Sequence, residues 1–222
     1  MSFVKPMFFA WSYSRISNWE GCHARAKYKF IDKLPEPDSP YAARGGDIHK
    51  LAERYLKGEL TELPAQLNQV DEYIEDLKVP GVQTELQLAF TKEWKPTGWF
   101  ARDVYCRVIY DAVVPADKEV TVTDHKTGKK REAEHIDQLR LYALTAFMQW
   151  PEVDKVNAQV LYVDHGERLR MVFHRDTVPE LLKYWDDRAA KMLADDIFAA
   201  IPNPGCKWCH YRKSNGGPCQ FN

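Results

Sequence analysis

The sequence predicts an α/β fold with one mixed central sheet flanked by helices. Two observations carry this. Apolar residues recur at helical spacing in several long segments, and between those segments the period falls to two over short runs. Read in order, the segments are helices, three strands, a helix, two strands and a helix.

Ser12 to Phe30 reads as a helix, with Ile16, Trp19 and Ala26 among its apolar positions, and the proline-bearing stretch Leu34 to Pro40 breaks it. An amphipathic helix follows from Ala42 to Leu56, where Ile48, Leu51, Ala52, Tyr55 and Leu56 recur at helical spacing. Pro64 to Leu77 is expected to form another. Thr84 to Thr91 alternates Leu86, Leu88 and Phe90 against Glu85, Gln87 and Ala89, as a strand does. Val104 to Val114 is apolar on both faces and suits the middle of a sheet; Glu119 to Asp124 is the next strand. A helix spans Glu132 to Gln149 and stops before Pro151. Strands Val156–Val163 and Arg168–His174 meet at a turn through His165-Gly166, and Val178 to Phe198 is the last long helix.

A chain of 222 residues can bury one substantial core and is short for two full domains. The expectation is a single domain over 1–222, with a core at about 42–175 and flanking segments 12–30 and 177–222. At 45% hydrophobic and 28% charged the composition is that of an ordinary globular protein, with no low-complexity tract. There is no apolar run long enough to span a bilayer. The first residues carry an apolar patch but no basic region before it and no small-residue cleavage site, so the cytoplasm is the expected location. A net charge of −1 neither announces nor excludes a nucleic-acid binder, because phosphate contacts need only local positive charge. Five cysteines in a reducing compartment argue against a disulfide framework.

The most informative segment is residues 119–130, EVTVTDHKTGKK. Residues two apart on a strand share a face, so Asp124 and Lys126 point the same way. A carboxylate that holds a divalent metal beside an ammonium that orients or acidifies water is what phosphodiester hydrolysis requires. In the preceding strand Asp111 stands among apolar residues, where a carboxylate is costly without a partner. It reads either as a partner of Arg107 or as a metal ligand facing Asp124. His49, on the polar side of its helix, is a surface residue or an imidazole added to a carboxylate site for magnesium or manganese. Gln138 and Tyr142, one turn apart, share a helix face with Glu134 and Thr145; that stripe is a solvent face or a contact surface for DNA.

This ordered set resembles the RecB-like branch of the PD-(D/E)xK nucleases. The resemblance runs through the helical histidine after glycines (Arg44-Gly45-Gly46-Asp47-Ile48-His49), the strand aspartate Asp111, the Asp124-His125-Lys126-Thr127 run, and Gln138 to Tyr142. The opening SYSRISNWEGCHARAKY is similar to the N-terminal helix of that branch. The resemblance implies a restriction-endonuclease-like core, with His49, Asp111 and Asp124 as side-chain ligands of Mg2+ or Mn2+ and the His125 carbonyl completing the shell. Lys126 would position or activate the water, and Gln138 and Tyr142 would hold the nucleic acid. Glu85 stands where many relatives carry a glutamate and is either a supporting residue of the catalytic centre or an exposed strand glutamate. The middle residue of the Asp-x-Lys triplet is histidine where the family usually has an apolar residue.

Cys206, Cys209 and Cys219 crowd the tail, and Cys22 stands alone near the start. A C-x2-C pair grips one metal centre from a single turn, and a third and fourth cysteine complete a ligand set that joins the first helix to the tail. Spacing alone admits structural zinc or an iron–sulfur cluster. The resemblance points to a [4Fe–4S] cluster, since a subset of RecB-like nucleases, including CRISPR-adaptation exonucleases and AddB-type helicase–nucleases, carries one cysteine before the core and three after it. Cys106 reads as a buried core thiol. His23 and His210 adjoin cysteines.

Lys129, Lys130 and Arg131 extend from Lys126 as a basic loop, which is either a solvated turn or a phosphate track. Phe8, Phe9, Trp11, Tyr13 and Trp208 are core aromatics or stacking platforms for unpaired bases. The expected function is a metal-dependent DNA exonuclease acting on single-stranded DNA or DNA ends, in recombination, repair or phage DNA processing, with recombination or CRISPR-type proteins as partners and no membrane. The alternative is a non-catalytic DNA-binding or adaptor module that keeps the fold and the cysteine site.

Overall fold

The computed structural model describes residues 10–37 and 39–222; Phe8 and Phe9 lie outside them. Contacts divide the chain into two units, Ser39–Lys183 and the flanking segments Met1–Asp38 with Tyr184–Asn222.

The unit Ser39–Lys183 is built on a six-stranded sheet. Its strands are β1 (Gln83–Phe90), β2 (Pro96–Thr97), β3 (Cys106–Pro115), β4 (Glu119–Lys126), β5 (Lys155–Tyr162) and β6 (Glu167–His174). They lie in the order β2-β1-β3-β4-β5-β6. Neighbours are antiparallel except β4 and β5, which run parallel. A parallel pair needs a crossover, and the helix Glu132–Gln149 supplies it. The sheet is therefore mixed and flanked by helices, as the order of periodic segments predicts.

Alternation along the strands assigns the helices to faces. Leu161 and Val163 pack with Ile48, Ala52, Tyr55 and Leu56 of the helix Pro40–Leu56. Tyr162, between them, meets His135 of the crossover helix at 2.9 Å. The crossover helix is buried along most of its length, Gln138, Tyr142 and Thr145 included. Beyond the exposed Glu134, its polar stripe is thus not a solvent face: Thr145 and the Tyr142 carbonyl engage the Tyr110 hydroxyl at 2.6 and 3.1 Å.

The stretch 64–77, expected as one helix, is a 3-10 segment Ala65–Val70 followed by a short helix Asp71–Glu75. Its apolar anchors Leu67, Val70, Ile74 and Leu77 are all buried, but Leu67 and Val70 are three apart and suit the tighter turn. Strand β2 was not foreseen, since two residues carry no periodicity.

In the flanking unit the helix expected over 12–30 is interrupted. Tyr13–Gly21 and His23–Ala26 are separated by Cys22 in extended conformation, and Lys27–Ile31 forms a π turn. The tail takes the backbone groups that a continuous helix would use. Asn203 donates to the Gly21 carbonyl at 3.0 Å and the Ala24 amide donates to the Ala199 carbonyl at 3.3 Å. The helix Val178–Leu193 stops short of the expected Phe198. Asp195 Oδ1 accepts the Ile197 and Phe198 amides at 3.1 and 2.9 Å, a local arrangement that competes with further helical turns. Trp11 stacks on Trp185 with ring centroids 5.8 Å apart, and Tyr13 meets Trp185 edge-on, so both belong to this unit's packing.

Asp195 also accepts Trp19 Nε1 at 2.7 Å and lies 2.8 Å from His23 Nδ1. Burial works to raise its pKa, but these donors together hold it below the usual carboxylate value. A lowered folded-state pKa contributes stability above the unfolded value near 3.8 and loses it as pH falls through the folded one. Asp195→Ala is expected to lower Tm by about 3–8 °C at pH 7, from roughly 1–3 kcal/mol for the cap and the orphaned donors. The deficit should shrink as wild type and variant are melted at successively lower pH below about 4.

Candidate active site

The site forms where two strands part. Pairing between β3 and β4 runs from Pro115–Val120 to Ala112–Thr123 and stops, although both strands continue. Past the break, the Asp111 carboxylate accepts the His125 amide at 2.6 Å in place of a ladder partner. Nearby, the Ile109 carbonyl lies 3.0 Å from the Tyr142 hydroxyl. Asp111 and Asp124 are almost wholly enclosed, 8% and 2% exposed.

On the other side of β3, the pairing with β1 skips one position, that of Glu85 opposite Asp111. Glu85 has φ +49°, a left-handed conformation that costs a non-glycine residue about 1–3 kcal/mol and persists only under surrounding constraint. The ladder on both sides provides that constraint. Glu85, Asp111 and His49 bring ligand atoms within 4.8 Å of one another. His49 Nδ1 is 3.3 Å from Asp111 Oδ2.

Charge is concentrated here. Burial works to raise the Asp111 pKa, but His125 and His49 hold it well below the usual carboxylate range. Burial opposes a charged His49, yet Asp111 outweighs it and pushes the ring up to about 9. Glu85 is raised, first by burial and then by the charge of Asp111. Two carboxylates and an imidazole crowded this way suit a hard divalent cation.

Asp124 is outside that group of three. Its neighbour on β4, His125, faces His49 with rings 6.0 Å apart, whereas Asp124 is turned to the crossover helix. Asp124 Oδ1 accepts Gln138 Nε2 at 2.9 Å and lies 3.0 Å from the Tyr142 hydroxyl, which itself accepts Gln138 Nε2 at 2.7 Å. Lys126 Nζ pairs with Asp124 Oδ2 at 2.7 Å. The His125 ring, 1% exposed, lies with its Nδ1 3.5 Å from Asp111 Oδ2. Burial acts to lower the Lys126 pKa, but Asp124 more than offsets it and the ammonium stays charged. Burial, then Asp124, drives the Tyr142 hydroxyl well above its ordinary value.

Two residues the sequence did not single out hold the loop after Lys126. Asp164, past the end of β5, takes the Gly128 amide at 2.6 Å and a two-point contact from Arg44 at 2.6 and 2.9 Å. His165 Nε2 lies 2.8 Å from the Gly128 carbonyl. Gly128 has φ +78°, which glycine alone adopts freely. An aspartate in a turn has no pattern that marks it as a clamp. Of the basic loop, Lys130 pairs with Glu167 and Arg131 with Glu134, while Lys129 is exposed.

In the flanking unit, Cys22, Cys206, Cys209 and Cys219 line one cavity of about 110 Å³, with Tyr28, Ile201, Arg212 and Phe221 among its walls. All four are free thiols. The Ile201 amide points to Cys22 Sγ at 3.4 Å and the Asn203 amide to Cys206 Sγ at 3.3 Å. The sulfurs ring the cavity and do not converge: among the described residues, His49, Glu85 and Asp111 alone form a group of three within 4.8 Å. His23 is occupied by Trp19 and Asp195. Cys106 is a buried thiol of β3.

A mixed sheet with carboxylates on β1 and β3, a histidine from the helix Pro40–Leu56 and an Asp-x-Lys pair on β4 has the makings of a nuclease-type core. The chain belongs to the PD-(D/E)XK nuclease superfamily, whose model matches residues 10–103 and 77–214. Two solved structures share the fold. SSO0001 is 18% identical with a TM-score of 0.50, over 100% of this chain and 91% of that one. The “Putative exonuclease” of Eubacterium rectale is 12% identical with a TM-score of 0.51, over 91% and 87%. No helix among the described residues is long and apolar enough to cross a membrane.

Gln138 and Tyr142 touch Asp124 and are buried, so Gln138→Leu is expected to lower kcat about 10- to 100-fold with little change in KM for DNA. Single-turnover kinetics at saturating DNA separate this from loss of a substrate contact, which would raise KM.

Proposed function

We propose that this chain is a divalent-metal-dependent deoxyribonuclease, acting as an exonuclease on single-stranded DNA or DNA ends in recombination, repair or phage DNA processing. The observation that carries the reading is the His49–Glu85–Asp111 group set beside the Lys126–Asp124 pair. Asp111 and Asp124, 8% and 2% exposed, are enclosed carboxylates of the kind that a divalent cation would neutralise. His49, Asp111 and Asp124 would hold Mg2+ or Mn2+ with the His125 carbonyl, and Glu85 joins them by its proximity. Such an ion, when bound, polarises the scissile phosphate and acidifies a water.

The protein's own groups divide the remaining work. Lys126, beside Asp124, positions or activates the water and donates hydrogen bonds to phosphate oxygens. Gln138 and Tyr142 fix the Asp124 carboxylate, and Asp164 holds the loop that follows Lys126. The resemblance to RecB-like nucleases also suggests recombination or CRISPR-type protein partners and a cytoplasmic location.

We further propose that Cys22, Cys206, Cys209 and Cys219 carry a [4Fe–4S] cluster. A tetrahedral zinc site with Zn–S bonds of about 2.3 Å needs sulfurs about 3.8 Å apart. Sulfurs spread around a cavity, two of them receiving backbone amides, suit the larger cluster better.

Protein purified anaerobically should shorten end-labelled DNA in Mn2+ or Mg2+ and not in EDTA, with Lys126→Ala slower by at least about 100-fold. Binding without cleavage under every metal would replace the enzyme reading with that of an adaptor. The same preparation should be brown and contain iron; colourless protein with stoichiometric zinc would refute the cluster.

A further inference from the structure

From Ile197 to Asn222 the chain contains no Asp or Glu, yet it carries Lys207, Arg212 and Lys213. In the middle of this stretch Trp208 is 76% exposed. Of the acidic side chains elsewhere in the unit, Glu20 pairs with Arg188, Asp32 with Lys27, Glu36 with Lys29, and Asp195 with Trp19 and His23. Lys207 and Lys213 are exposed, and Lys207 Nζ lies 5.4 Å from the centre of the Trp208 ring.

The exposed indole does not stand on a loose end. Trp208 closes the 3-10 turn Pro204–Trp208, whose start is capped by Asn203. The Cys209 amide bonds the Cys206 carbonyl at 2.9 Å, and Asn215 donates to the Cys209 carbonyl at 3.2 Å. Arg212 is spent on the same knuckle, reaching Asn215 Oδ1 at 3.0 Å and the Lys207 carbonyl. Gly217 lets the chain pass over Tyr211, since any Cβ there would fall 2.3 Å from backbone atoms. A large aromatic left in water on a bonded turn forgoes the burial of roughly 150–250 Å² that such a side chain usually gains.

We propose that this knuckle is a second nucleic-acid contact, in which Trp208 stacks one unpaired base while Lys207 and Lys213 meet the flanking phosphates. An aromatic face accepts any base, and exposed lysines on a stretch that carries no Asp or Glu follow a backbone; both suit single-stranded DNA without sequence preference. The proposal rests on the nuclease reading above and adds a binding site outside the acidic centre.

The test is fluorescence anisotropy of a labelled oligothymidylate about 16 nucleotides long in EDTA, the upper end of single-strand site sizes. Every chain carries Lys126→Ala, so nothing is hydrolysed, and circular dichroism and metal content are checked for each. Trp208→Ala should weaken binding by about 5- to 150-fold, and Trp208→Phe should keep most of the affinity. Lys207→Ala with Lys213→Ala should flatten the slope of log affinity against log salt by about 1.4. Parental affinity and slope in all of these variants would overturn the proposal and leave the knuckle to a protein partner. A Lys126→Ala parent that does not bind the oligonucleotide at all would fail at the nuclease reading itself.

Discussion

The hydrogen bond from the His125 amide to the Asp111 carboxylate is the constraint on which the site depends. It stands where the β3–β4 ladder ends, so a side chain has replaced a main-chain partner and the strands are free to separate. A buried amide and a buried carboxylate are each costly alone, and together they satisfy one another. The separation puts Asp111 on the side of His49 while Asp124 turns to Gln138 and Tyr142. Glu85, in its left-handed conformation on β1, is the counterpart on the far side of β3.

Much of this was legible in the sequence because periodicity reports burial. The chain order of strands β1 and β3 to β6 and of the helix Glu132–Gln149 follows from segments whose apolar residues recur at two or at three to four. The side chains that meet at the site were legible as types at particular spacings: Asp124 and Lys126 two apart on a strand, Gln138 and Tyr142 one helical turn apart. What those residues touch was less so. Gln138 and Tyr142 look like a surface stripe because both are polar, and only the packing of the crossover helix on β4 shows them spent on Asp124. Glu85 carries no local signal of its backbone geometry, since the constraint comes from the strands beside it. Asp164 acts across elements 36 residues apart in sequence at Gly128, a pairing that composition does not record.

The flanking unit shows the same limit. The apolar positions of 12–30 suit one helix, but Cys22 breaks it because the tail residues Ala199 and Asn203 compete for the same backbone groups. That break places the Cys22 thiol on the cavity shared with the three tail cysteines. C-x2-C spacing marks Cys206 and Cys209 as neighbours; that Cys22 and Cys219 line the same cavity is a property of the fold.

Metal-dependent hydrolysis requires that the Asp111 group bind a divalent cation. The direct measurement is Mn2+ binding by titration calorimetry, in parallel with electron paramagnetic resonance, on wild type, Asp111→Asn and Glu85→Gln. Wild type is predicted to bind Mn2+ saturably, with Asp111→Asn weaker by at least about 100-fold and Glu85→Gln less affected. Unchanged Mn2+ affinity and spectrum in Asp111→Asn would contradict it and reduce the group to a buried ion pair.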